Sequence, residues 1–470
     1  MYRSWLPGRY TFKENEVNRT TTSGITACII ALTGTMVGQE VEATIGVGRL
    51  PSAVVYDSVN SKLYVANQGS STVSVIDTNN QVVAEIAVGG NPSALCWNPV
   101  EGRIYVASCS LANAGRVTVV STTNDSIVTS FAVGEHPNGL VWNPVRNKVY
   151  CTNYESATVS AIDCPSNQIL ATVNLSQRPN GISYNQVSDL VYVSSGAWGQ
   201  PGRIHVVDCG DDDLTATLNS GSNAYGLAHN PLTNRLYVTN RGSDNLSVFN
   251  CANNQNLGML PAGQEPRCVL WTPTNKVFWA GYWDYSIRWM HGDSLRARHQ
   301  TTLTAGVDRF LYNAVTKKLF AACPLASKVV VLDARDQHEL RVITEIETGG
   351  GPSAMAVCPS RNRVYVANAW DTTVTVIQDV IGIAEPETRL ALPSVTAKVR
   401  PTMTAPGGRV DFVASGFVPD RLVVRDALGR VVHESAAGAR SRWTAEKTTG
   451  LYFYTMSNDR VSASGKLVVR

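Results

Sequence analysis

The residues of this 470-residue sequence best suited to chemistry gather in a few short stretches. "SGAWGQPGR" (Ser195–Arg203) carries Trp198, "GYWDYS" (Gly281–Ser286) carries Tyr282, Trp283 and Tyr285, and "NAWDTT" (Asn368–Thr373) carries Trp370. Tyr154 and Tyr225 stand in comparable stretches. Aromatic side chains on short polar loops suit stacking against sugar rings or extended peptides, because each covers a large area at little entropic cost. Arg178, Arg241, Glu265, Arg267, Asp284, Asp308 and Asp371 lie nearby and would supply hydrogen bonds and charge. The competing use of the same aromatics is to pack on neighbouring loops and seal a rim.

Catalytic patterns are missing. There is no Gly-x-Ser-x-Gly, no His-Glu-x-x-His and no phosphate-cradling glycine loop. The seven histidines are scattered singly, so the best acid–base set available is Asp308 and Glu265 with His136 as base. No Cys-x-x-Cys occurs, which argues against a zinc site. The acidic run "DCGDDD" (Asp208–Asp213) lacks the alternating ligand spacing of a calcium loop and reads as a solvated turn. Ten cysteines are present, and Cys164, Cys209 and Cys251 recur at one phase of a repeat. Equivalent points on neighbouring repeats lie beyond the roughly 7 Å Cα separation a disulfide tolerates, so free thiols are expected. No metal or cofactor is expected. Charged residues make up 16% of the chain with a net charge of +3, which argues against nucleic acid as the main partner.

The elements that must position these residues are strands. Six turns end in a proline ahead of an apolar run, at Pro51, Pro92, Pro137, Pro179, Pro266 and Pro352, and Ala224 and Asp308 fill the same place in two more copies. Successive copies are 41 to 45 residues apart. Each holds four short strands, the second and third of them a hairpin such as "LYVANQGSSTVSVIDTNN" (Leu63–Asn80). That period and content predict β-propeller blades, whose faces are covered only when the blades stack around an axis. The eighth copy lacks its fourth strand, and "VEATIGVG" (Val41–Gly48) precedes the first copy with no unit of its own. Val41–Val47 is therefore expected to complete the last blade and close the ring. The fold class is all-β, a propeller of eight four-stranded blades, or of seven if Glu265–Gly306 is no true blade. The slot holding Tyr56, Trp97, Trp142, Tyr184, Trp271 and Tyr312 is a packing position, and His229 in that slot is expected to be structural.

The elements Tyr64-Val-Ala-Asn67, Tyr237-Val-Thr-Asn240 and Tyr365-Val-Ala-Asn368, each followed by "SVI", "SVF" or "TVI", resemble the YVTN-type β-propeller repeats of microbial surface-layer and cell-envelope proteins. The resemblance spans about 41–378 and implies fold more than activity. Some propellers of this style are lactonases or oxidoreductase partners, which keeps an enzymatic alternative beside a binding or a structural coat role. The tail from Ala391 changes character, with Lys and Arg exceeding Asp and Glu by six. Its phrases "DALGRVV" (Asp426–Val432), "GLYFY" (Gly450–Tyr454) and "GKLVV" (Gly465–Val469) resemble C-terminal sorting domains of the type IX secretion system. That resemblance implies a small β-sandwich, export across the outer membrane and the secretion machinery as a partner. At the other end, "GITACIIALTGTMVGQ" (Gly24–Gln39) behind Arg9, Lys13 and Arg19 reads as a secretory signal. It is too short for a transmembrane span. The expected organisation is a signal-like segment 1–39, a propeller 40–379, a linker 380–395 and a sorting domain 396–470. The expected function is that of a secreted or cell-surface monomer whose loop face binds a glycan or protein ligand through Trp198, Tyr282, Trp283, Tyr285, Trp370, Tyr225, Arg241 and Asp308.

Overall fold

The computed structural model describes residues 39–380, apart from 111–113, 298 and 336–338, together with seven strands between 398 and 469. Residues 1–38 of the signal-like segment and 381–395 of the linker lie outside the described residues. The chain divides into two compact units, Met1–Ile383 and Ala384–Arg470.

The first unit is an eight-bladed propeller, and every blade is a four-stranded antiparallel sheet. Blades 1 to 7 occupy 51–87, 91–132, 137–174, 179–219, 224–261, 266–302 and 309–347 in chain order. Residues 266–302 are thus a true blade, and the count is eight. In blade 8, strands Pro352–Cys358, Arg363–Asn368 and Thr373–Gln378 are completed by the N-terminal strand Glu40–Gly46. That strand runs antiparallel to Thr373–Gln378, with Glu40 opposite Gln378 and Gly46 opposite Thr373. In each blade the first strand lines the central channel and the fourth lies outermost.

Why the hairpin repeats is clear from its side chains. Its apolar positions fill eight clusters, one between each pair of neighbouring blades. One such cluster joins Ile45, Val374 and Val376 of blade 8 to Leu63 and Val65 of blade 1, so closure is made by burial as well as by pairing. The tyrosine of the repeat reaches the next blade. Lys62 and Tyr64 both bond Asp125, at 2.6 and 2.7 Å. Lys148 and Tyr150 bond Asp212 in the same way, at 2.7 and 2.5 Å. The acidic run 208–213 is thus not solvated throughout, because Asp212 is buried in an inter-blade latch. The asparagine of the repeat stays within its blade: buried Asn67 bonds Thr72 and Ser74 across the hairpin, as Asn368 bonds Thr373 and Thr375.

A third device surrounds the channel. The residue after the repeat proline donates to a backbone carbonyl of the next blade: Ser52 to Pro92 (2.9 Å), Ser93 to Pro137 (2.6 Å), Asn138 to Pro179 (2.9 Å), Asn180 to Ala224 (2.8 Å) and Ser353 to Pro51 (2.9 Å). The stitches run through blades 8, 1, 2, 3 and 4. Tyr225, Arg267 and Arg309 hold the same position in blades 5, 6 and 7.

The second unit holds two antiparallel sheets, one of Lys398–Pro401, Arg409–Ser415 and Arg440–Thr444, the other of Arg421–Asp426, Val431–Ala436, Gly450–Ser457 and Ser462–Val469. No helix among the described residues is long and apolar enough to cross a membrane.

Candidate functional site

Pro51 at the start of the first strand of blade 1 pairs with Asn67 at the end of the second. The turn entering each blade and its second-to-third-strand loop therefore open on one face, around the channel. The channel has a volume of about 410 Å³, and every blade contributes to its lining.

On that face, blades 4 to 7 carry a connected cluster. Glu265, in the turn entering blade 6, lies at its centre. It accepts hydrogen bonds from Arg241 of blade 5, from Arg267 Nε and Nη2 at 3.2 and 2.8 Å, and from Trp283 Nε1 at 2.6 Å. Burial alone would hinder ionisation of Glu265, but the bonds from Arg241, Arg267 and Trp283 outweigh it and hold the carboxyl below its ordinary range. Arg267 lies 3.5 Å above the Tyr282 ring and also bonds Asp308 at 3.2 Å. Arg241 sits over Tyr225 at 4.7 Å and near Trp198 at 5.8 Å. The Tyr282 and Trp283 rings meet edge to face, 4.9 Å apart.

The structure thus brings together Trp198, Tyr225, Arg241, Tyr282, Trp283 and Asp308 from the expected set, with Glu265 and Arg267 as their bonded centre. Within it the aromatics differ in role. Tyr282 is 4% exposed and serves as a platform for Arg267, whereas Trp198 and Trp283 are 59% and 48% exposed. Tyr285 stands apart: it occupies a left-handed backbone position (φ 56°) that Ser71, Ala157 and Thr372 fill in other blades. A bulky side chain there is uncommon. Trp370 belongs to blade 8 and lies over Gly351, where an added Cβ would come within 2.6 Å of the indole. Asp371 accepts the Gly350 N–H and so shapes that turn.

Other expected contributors serve elsewhere. Asp284 folds into the hairpin of blade 6, filling the space that an Asn side chain occupies in blade 1. A Cβ on Gly281 would lie 2.0 Å from its Oδ1, which accepts from Ser286 at 2.8 Å. Arg178 pairs with Glu155 at 2.5 Å and covers Tyr154, forming a separate small group on blades 3 and 4. His136 packs edge-on against Tyr154 and is remote from the cluster, so the acid–base set of Asp308, Glu265 and His136 does not converge. His229 bonds Asn234 at 3.1 Å in its turn, the structural role expected of it. Among the described residues no group of His, Cys, Asp and Glu could hold a metal ion. Nine of the cysteines are described, and all are free and buried. Burial pushes the thiols of Cys96 and Cys323 up to about 12.

One member of the site escaped the sequence reading. Arg309 opens the first strand of blade 7 and lines the channel beside Arg267. Its signal lay in the repeat: after the turn, five blades place Ser or Asn where blades 5 to 7 place Tyr225, Arg267 and Arg309.

Among known proteins, no family model and no curated protein matches this chain. Solved structures do. A chain of hydrazine synthase from Kuenenia stuttgartiensis is 16% identical with a TM-score of 0.52, covering 75% of this chain and 99% of that one. The computationally designed Ika8 protein is 14% identical with a TM-score of 0.59, covering 72% and 99%. A chain of the mitotic checkpoint complex is 11% identical with a TM-score of 0.51, covering 78% and 98%. Likeness at once to an enzyme, a design and a checkpoint assembly identifies an architecture and no activity. The chain is similar to these proteins in being a β-propeller.

Proposed function

We propose that this protein is an exported or cell-surface propeller that binds a glycan or protein ligand through the channel mouth on blades 4 to 7. The observation that carries this reading is the break in an otherwise regular ring. Five blades stitch the channel wall with Ser or Asn, while blades 5 to 7 substitute a tyrosine and two arginines. Exposed Trp198 and Trp283 stand beside that break. Side chains fixed by mutual ion pairs lose little freedom when a ligand arrives, which favours recognition by a rigid surface. Export is supported by the tail phrases that resemble type IX sorting domains, and by the apolar segment behind a basic lead. The YVTN-type repeat fits a cell-envelope setting.

The test uses the full mature chain against a broad panel of glycans and envelope proteins, beside a variant with Trp198, Trp283 and Trp370 changed to Ala. A ligand bound by the parent and lost in the variant is expected. Equal binding by both would remove the aromatic loop face from consideration. Export is tested by joining residues 396–470 to a reporter in a host with the type IX machinery, where surface or medium accumulation is expected.

A further inference from the structure

The arginines at the mouth are not equivalent. Arg267 is consumed by its neighbours, with Tyr282 beneath it, Glu265 on one side and Asp308 on the other. Arg241 is likewise held by Glu265 and Tyr225. Arg309 differs. Its side chain is 55% exposed in the channel, and among the described residues its ion-pair partner is Asp308, at 3.7 Å and already bonded by Arg267. Asp244 is turned to the Glu265 backbone N–H, so of the three arginines Arg309 is the one left with the weakest pairing.

Around that charge the flat surfaces are ordered. Glu265 fixes the Trp283 ring through its N–H, leaving much of the indole exposed. Trp198 lies beyond Arg241, so indoles on blades 4 and 6 bracket a guanidinium on blade 5. Indoles on blades 4 and 6 and a loosely paired guanidinium on blade 7 complement a polymer whose units present flat rings and an anion. An acidic peptide matches the charge but brings few flat faces. Resting on the reading of this mouth as a binding surface, we infer that its ligand is an anionic polysaccharide. A sugar carboxylate or sulfate pairs with Arg309, and pyranose faces stack on Trp283 and Trp198.

The experiment is titration calorimetry on the full chain with four probes: polygalacturonate, dextran sulfate, neutral galactan and poly-glutamate. Binding to one of the two anionic glycans is expected, stronger at low salt, and the two arms separate carboxylate from sulfate. Arg309→Gln should weaken it about tenfold, as should Trp283→Ala, because each removes one half of the recognition. Asp308→Asn should strengthen it severalfold by lifting the charge that offsets Arg309. Because Arg309 is exposed and loosely paired, its variant should melt with the parent. Neutral galactan bound as tightly, with Arg309→Gln silent, would overturn the anion inference while leaving the mouth a glycan site. Poly-glutamate bound equally, with Trp283→Ala silent, would replace the polysaccharide with an acidic protein. No binding of any probe also overturns the inference, and the wider panel then decides the mouth's role separately.

Discussion

Glu265 is the residue on which the mouth is assembled, because one carboxylate answers two guanidiniums and an indole. Its contribution to stability is full above the ordinary value of 4.5 and is lost as pH falls below it, since the folded carboxylate resists protonation. Glu265→Gln should remove that acid-side slope and cost about 1–3 kcal/mol in urea melts, because two half-buried arginines lose their shared partner. Trp283 should then become more mobile, visible as a change in its fluorescence. A second titration lies in the blade interior. His205 is fully buried between Ser195 (2.9 Å) and Thr217 (3.3 Å), and burial, with Arg203 nearby, lowers its pKa from 6.5 to about 4. The unfolded chain takes up this proton near 6.5 and the folded chain refuses it until about 4. Stability is therefore full above 6.5 and falls by about 3 kcal/mol as pH drops through that window. His205→Gln should flatten the 6.5-to-4 portion of the stability profile, and a profile unchanged by the substitution would count against this assignment.

At the scale of the element, the blades are joined by latches of unequal weight. Lys318 and Asp379 meet at 2.9 Å with side chains 3% and 0% exposed, so Asp379→Asn strands a buried ammonium and should cost about 3–5 kcal/mol. The corresponding Lys62–Asp125 pair is 21% and 14% exposed. Asp125→Asn should therefore cost less, about 1–2 kcal/mol, and chemical denaturation of both variants tests the order. These latches explain how much of the fold was legible. Lys62-Leu-Tyr64, Lys148-Val-Tyr150 and Arg363-Val-Tyr365 repeat because these blades reach the next with a cation and a tyrosine, whereas blade 4 has Leu190 for the cation and blades 6 and 7 have Phe278 and Phe320 for the tyrosine. The missing eighth outer strand could be found for the same reason. The site was legible only in part. Trp198, Trp283 and Arg241 stood out as irregular loop residues, but Asp284 looked no different from them. Its inward turn depends on Gly281 leaving a space, a relation between two positions. Arg309 was hidden in a strand, where a charged residue reads as an ordinary edge until the Ser and Asn stitches of the other blades are seen in three dimensions.

For the whole molecule, closure is the decisive event. The strand Glu40–Gly46 belongs at once to the blade-8 sheet and, through Ile45, to the cluster against blade 1. A chain beginning at Val47 leaves Thr373–Gln378 as an open sheet edge. Such a chain should melt lower and associate with rising concentration, which sedimentation velocity would reveal. A truncation that stays monomeric and equally stable would show that the ring does not need its clasp. The clasp also fixes where force can enter. Glu40 and Gln378 are partners at the same end of the pair, with Gln39 bonded to Asp379 just beyond, and this end lies opposite the mouth. Tension pulling residue 39 away from residue 379 would open the two strands from their fork, one hydrogen bond after another, at low force. Tension running from residue 379 to something held in the mouth would instead load the same ladder lengthwise, with its bonds sharing the strain. The propeller is thus built as a buckle: weak when its two ends are drawn apart, strong when one end is held against a load on the opposite face.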